Sequence, residues 1–163
     1  MIVGFLILSF ILDGVVYSLI TQGSLIIPLF SLFSLVLIYP YFYNKDNLFL
    51  FSAFCLGIFY DIVYTNTPFL NTLVFVLIAT LIIKIFSYFS RNIINTYLLS
   101  LIILIFYRGI IFLFLCLIQS INFDLLNLLE SIMCSILANG IYISIFYLLL
   151  NKIGNKLKIK KIR

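Results

Sequence analysis

The sequence predicts an all-α integral membrane protein, a compact bundle of six transmembrane helices. Three observations carry that prediction. Of 163 residues, 65% are hydrophobic and only 9% charged, and a mean hydropathy of +1.31 is far beyond what a water-facing domain tolerates on its surface. The apolar residues fall in long runs, and a helical span needs about 20 of them, which gives room for about six. The breaks between runs are short and rich in turn residues, leaving no space for a soluble domain.

The first run, 2–20, has no basic segment ahead of it and no small-residue cleavage site behind it, so it reads as a span and not as a removable signal peptide. After a polar break at 21–24 comes the run 25–43. Its Pro28 falls in the first turn, where a missing amide proton costs little, and Pro40 ends or kinks it. The break at 44–47 leads to a third run, 48–64, of about the minimum spanning length. Residues 65–68, Thr-Asn-Thr-Pro, close it with strong turn chemistry. The runs 69–88, 93–118 and 125–150 complete the set, with a more polar stretch at 119–124. No internal repeat aligns the first three runs with the last three, which argues against the repeated halves of many transporters. The organisation is one membrane domain, 1–150, followed by a basic tail, 151–163.

The net charge of +5 is concentrated at one end, since Lys152, Lys156, Lys158, Lys160, Lys161 and Arg163 supply six of the ten basic residues. That is the pattern of a cytoplasmic tail against anionic headgroups, and no folded basic surface accompanies it to bind nucleic acid. With six spans, Lys45, the 84–91 turn and the tail share one side, while the three opposite loops carry no Lys or Arg. Both termini are then cytoplasmic and the protein sits in the cell membrane. A five-span alternative separates Lys45 from the tail and fits the charges less well.

The chemistry available is limited. Histidine is absent, which removes the commonest general base and metal ligand, and Cys55, Cys116 and Cys134 lie in apolar runs without the paired spacing of zinc or redox sites. No cofactor or metal is implied. Tyr60-Asp61 resembles one of the two motifs of intramembrane aspartyl proteases, but the partner Gly-x-Gly-Asp motif is missing around Asp13.

Three ionisable residues stand out inside the apolar runs, Asp13, Asp61 and Arg108. Each costs on the order of 2.5 to 3.5 kcal/mol at mid-membrane and must face protein or water. Helical spacing gives them a common interior, because Ser9, Asp13 and Tyr17 recur at every fourth position, as do Ala53, Gly57 and Asp61, and Ser131, Ser135 and Asn139. Ser100 and Arg108 lie two such steps apart. Two readings stay open: an internal cluster fixing helix register, with Arg108 paired to Asp61 or, failing that, Asp13, or a site for a partner helix or a ligand.

The segment Leu56-Gly57-Ile58-Phe59-Tyr60-Asp61-Ile62-Val63-Tyr64, followed by Phe69-Leu70-Asn71-Thr72-Leu73, resembles the signature of the rod shape-determining MreD family. That family pairs a Gly-x-x-x-Asp helix with a short turn and a Leu-Asn start to the next helix. Asn139, within Leu137-Ala138-Asn139-Gly140 ahead of the basic end, is a fainter echo. One departure is Pro68-Phe69, where the family often has a glycine before Leu-Asn.

The resemblance implies a non-enzymatic subunit of the cell-elongation machinery. Its closest partner would be the single-span protein MreC, within a complex that includes the actin-like MreB and a SEDS glycosyltransferase with a class B penicillin-binding protein. Gly57, Asp61, Asn71, Asp13, Arg108 and Asn139 become the structural or partner-binding residues. It further implies a bundle related to the substrate-binding subunits of energy-coupling-factor vitamin transporters, and such a subunit is the alternative function. Against it, the first helix lacks the Ala-x-x-x-Ala pattern that docks the energising module, and the outer loops are too short for a lid.

The charge pattern gives a first test. In a background without native cysteines, cysteines placed at Ser24 and Asn66 are expected to react with an impermeant thiol reagent from outside, and one at Asn155 is not. Protection of Asn66 together with labelling of Asn155 would sink the six-span orientation.

Overall fold

A computed structural model describes residues 2–19, 29–42, 45–65, 69–86, 92–118 and 125–156. Every regular element among them is helical. In order they are α1 (Ile2–Leu19), α2 (Phe30–Ile38) closed by a 3₁₀ turn (Tyr39–Tyr41), α3 (Asp46–Tyr60) continued by a π turn (Asp61–Thr65), α4 (Leu70–Phe86), α5 (Ile93–Leu117) and α6 (Leu125–Lys156). Residues 21–24, 66–68 and 119–124, together with Pro28, Asn44, Arg91 and the tail beyond Lys156, lie outside the described residues.

Six helices therefore match the six apolar runs, but not as six equal spans. Four segments are long and apolar enough to cross a membrane unaided: Ile2–Leu19, Asp46–Thr65, Ile93–Leu117 and Leu128–Lys152. The run 25–43 shortens most. Leu29 has a non-helical backbone (φ −134°, ψ 40°), so α2 starts at Phe30 and, with its 3₁₀ turn, reaches only about 20 Å against a hydrocarbon core of about 30 Å. Pro40 sits in that closing turn, as its missing amide proton predicts. At the other end, α6 continues past the predicted boundary at residue 150 to Lys156, so the start of the basic segment is helical.

The shortest helix, α2, lies inside, and the others keep a face outside. Every residue from Phe30 to Tyr41 is buried, and α2 packs on α1, α6, α5 and α4. The long helices keep one face for lipid, with Val3, Ile7, Ile11, Leu98, Ile105, Met133 and Ile141 among their exposed apolar residues. A continuous sheath of apolar side chains around an inner helix is what a bilayer solvent selects. Aromatic contacts lock α2 to its neighbours, as in Phe30 stacked on Tyr142 at 4.6 Å. The Tyr142 hydroxyl in turn meets Ser9 Oγ of α1 at 2.7 Å.

The polar stripes turn inward as the spacing predicts, with Ser9, Asp13, Ala53, Gly57, Asp61, Ser100, Ser135 and Asn139 all buried. Tyr17 is the exception, 65% exposed at the far end of α1. The three cysteines are half-buried and unbridged, in keeping with a packing role.

Gly57 marks the closest approach in the bundle. A methyl group there would lie 2.4 Å from Thr72 Cα and 3.3 Å from the Asn71 carbonyl oxygen, both backbone atoms of α4. This contact is internal to the chain. Gly57→Ala is accordingly expected to destabilise the purified protein by about 1 to 3 kcal/mol, because backbone cannot move aside as a side chain would. Thermal melting in detergent checks it, and an unchanged melting temperature would contradict the packing.

Candidate functional site

A helix that begins inside a bilayer presents N–H groups with no water to meet them. Two buried carboxylates meet that need here. Asp13, on α1, accepts from the Phe30 amide at 2.7 Å and the Ser31 amide at 2.8 Å, and also from the Ser31 hydroxyl. Asp61, at the start of the π turn, accepts from the Asn71 amide at 3.0 Å, the Thr72 amide at 2.9 Å and the Thr72 hydroxyl at 2.7 Å. The two arrangements are alike: a carboxylate late in a long helix caps the short helix that follows, using two successive amides and a hydroxyl.

The amide side chains complete the joints. Asn71 Nδ2 donates to Asp61 Oδ1 and to Thr65 Oγ1, each at 3.0 Å, while Asn71 Oδ1 accepts from the Tyr107 hydroxyl of α5 at 2.8 Å. Asn139 of α6 does for α2 what Asp13 does, since its Oδ1 accepts from the Leu29 amide at 3.1 Å and its Nδ2 donates to the Ser135 carbonyl at 2.8 Å.

Phe69, just before α4, has φ of 61°, the left-handed conformation that a glycine adopts freely and that costs other residues about 1 to 2 kcal/mol. The glycine of the family signature thus has a physical reason, and this chain keeps the same backbone sign without it.

Arg108 does not join this network as predicted. Among the described residues it forms no ion pair with Asp61 or Asp13; its Nη2 donates to Ser135 Oγ at 2.8 Å, and its Nε is buried without an acceptor. The reason is that each carboxylate is already committed to a helix start. Arg108 instead lines a cavity of about 220 Å³ between α1, α3 and α5, together with Asp13, Tyr17, Tyr60, Tyr64 and Tyr107. Tyr64 is pinned across it by donating to the Phe10 carbonyl at 2.6 Å.

Five of the six residues singled out from sequence thus sit at helix junctions or in a close helix contact, while Arg108 does neither and lines the cavity, as Asp13 also does. Sequence reasoning missed Ser31, Thr72 and the tyrosine lining. For Ser31 and Thr72 a signal existed: each is a hydroxyl residue in the first turn of a helix that follows an in-span aspartate. Of the four lining tyrosines, among eleven in the chain, only Tyr17 lies on a stripe that the spacing marks.

A helical bundle with long apolar helices and hydrogen-bonded helix junctions inside defines a helical membrane protein, with no group of three or more metal-ligating side chains among the described residues. The chain belongs to the rod shape-determining protein MreD family, whose model matches residues 1–153. No curated protein and no solved structure matches it.

The carboxylate caps are testable. Asp61→Asn puts an amide group against the N–H donors of α4 and is expected to cost about 2 to 3 kcal/mol, with a similar loss for Asp13→Asn. Because Arg108 and Asp61 are not paired, Arg108→Leu combined with Asp61→Asn is expected to show effects that add to within about 0.5 kcal/mol. Rescue of one change by the other in melting experiments would restore the ion pair.

Proposed function

We propose that the protein is a non-enzymatic membrane subunit of the bacterial cell-elongation complex, supporting rod shape and lateral peptidoglycan synthesis through helix contacts with an MreC-like single-span partner. Through the complex it would act with an MreB-like actin homologue and the SEDS and class B penicillin-binding pair. The observation that carries this reading is the family match over 1–153. All six helices then lie in the membrane of one domain, α2 as a short inner helix, in an arrangement related to the vitamin-transporter subunits. Both termini are cytoplasmic.

The geometry supports an assembly role over the transporter alternative. A cavity of about 220 Å³ is smaller than the roughly 300 to 1,000 Å³ of sites that enclose drug-sized ligands, so it suits a functional group and not a vitamin. The interior carboxylates are occupied in holding helix starts, which leaves none disposed as a catalytic pair.

Depletion in the source organism, with cell shape and vitamin uptake followed together, tests the choice. Rounded cells with normal uptake are expected if the host forms rods. Unchanged shape with lost uptake would replace this reading with the transporter subunit.

A further inference from the structure

The cavity beside Arg108 has an unusual balance of charge. Its guanidinium has one acceptor, Ser135 Oγ, no counter-ion among the described residues, and a buried Nε that donates to nothing. A second donor is idle nearby. Tyr60 is 6% exposed and lines the same cavity, and its hydroxyl makes no hydrogen bond to any of the described residues, whereas the neighbouring Tyr64 and Tyr107 hydroxyls are both engaged. A bare cation and a free phenol in a low-dielectric interior are costly, and an anion supplied from outside the chain would relieve both.

We propose that this cavity takes one carboxylate from a membrane helix of a partner protein, with Arg108 as its cation and Tyr60 as a second donor. The inference rests on the reading that the chain works through a single-span partner.

Depth selects the carrier. Arg108, Tyr60 and Asp13 lie about 8 to 14 Å short of the ends of α5, of the π turn after α3 and of α1, at 1.5 Å per residue. A lipid phosphate belongs at the headgroup level, while a side chain on a helix reaches any depth. The size fits too, since 220 Å³ holds a carboxyl group and a few methylenes but little more. The cavity lining includes Tyr17 and Thr65, both exposed, near the end of α1 and at the end of the π turn after α3. An approaching helix would therefore meet this end of the bundle. Asp13 lines the same space, but both its oxygens are turned to donors at the start of α2, which offsets its repulsion of an incoming anion.

Such pairing is selective. An acidic residue alone in lipid is as costly to the partner as Arg108 is to this chain, so each stabilises the other only in the correct complex.

The test separates this role from an internal structural one. The purified chain is melted in detergent as wild type, Arg108→Gln and Tyr60→Phe, in sodium chloride and in sodium acetate of equal ionic strength. Both variants are expected to melt at or above the wild-type temperature, and acetate is expected to raise only the wild type strongly. Co-expressed with the MreC-like protein of the same organism, Arg108→Gln is expected to weaken association about thirtyfold or more, matched by one acid-to-amide change in the partner's membrane segment. Variants that melt well below wild type without acetate would overturn the proposal in favour of an internal role. Unchanged partner affinity in Arg108→Gln would overturn it while leaving the assembly function standing. An Arg108-dependent acetate effect without any MreC-like binding would keep the carboxylate site and remove that partner. Arg108-dependent stabilisation by phosphatidylglycerol nanodiscs but not by acetate would assign the cavity to a lipid headgroup and overturn the proposal.

Discussion

The first turn of a helix has amide protons that the helix itself cannot satisfy, and in hydrocarbon nothing else is available unless the protein provides it. This bundle begins two helices inside itself, at Phe30 and Leu70, and provides an aspartate for each. The architecture follows from that. Because α2 is capped by Asp13 and Asn139, it is free to be short and to sit wholly within the bundle, where its apolar side chains serve as the core for the longer helices. An uncapped start in the same place would leave several donors bare, each costing several kcal/mol, and the helix would be driven to extend toward water.

Committing both carboxylates to helix starts has a consequence for Arg108. If Asp61 had paired with Arg108, α4 would have lost its cap, since one carboxylate has too few lone pairs, wrongly directed, for two amides, a hydroxyl and a guanidinium on another helix. The backbone demand is not negotiable, because amide protons cannot be titrated or turned away. The guanidinium can extend along its stem toward wetter surroundings. The amides therefore hold the carboxylates, and Arg108 is left on a hydroxyl acceptor at the edge of a cavity.

This also explains what was legible in the sequence. Periodicity identified the helices and the inward stripes, because burial in lipid obeys the same spacing as burial in water: Ser9, Gly57, Ser135 and Asn139 all lie inside. The assignment of residues to the interior was therefore sound, while the assignment of partners was not. Composition cannot show that a helix starts at Phe30, since that depends on a cap from another helix, at Asp13, and on Asn139 far along the chain. The ion pair was the natural inference from three charges in lipid, yet charge counting omits the partial charges of helix ends, which here outcompete a full one.

The Gly-x-x-x-Asp signature can be understood as the description of a single joint. Gly57 and Asp61 lie four residues apart, one turn along the same stripe of α3, and both converge on Thr72. The missing side chain at Gly57 lets the Thr72 backbone come close, and that closeness puts the Thr72 amide and hydroxyl within 2.9 and 2.7 Å of Asp61. Asn71, one residue earlier, then carries the joint to α5 through Tyr107. Neither half works alone: a larger residue at 57 pushes α4 off its cap, and a neutral residue at 61 leaves the close approach without its reward. The π turn from Asp61 to Thr65 fits the same purpose, since widening the helix there brings Thr65 Oγ1 within reach of Asn71 Nδ2 while Asp61 faces the start of α4. The signature thus describes how the end of one helix holds the start of the next on its flank, and Gly57, Asp61, Asn71 and Thr72 all point into the protein.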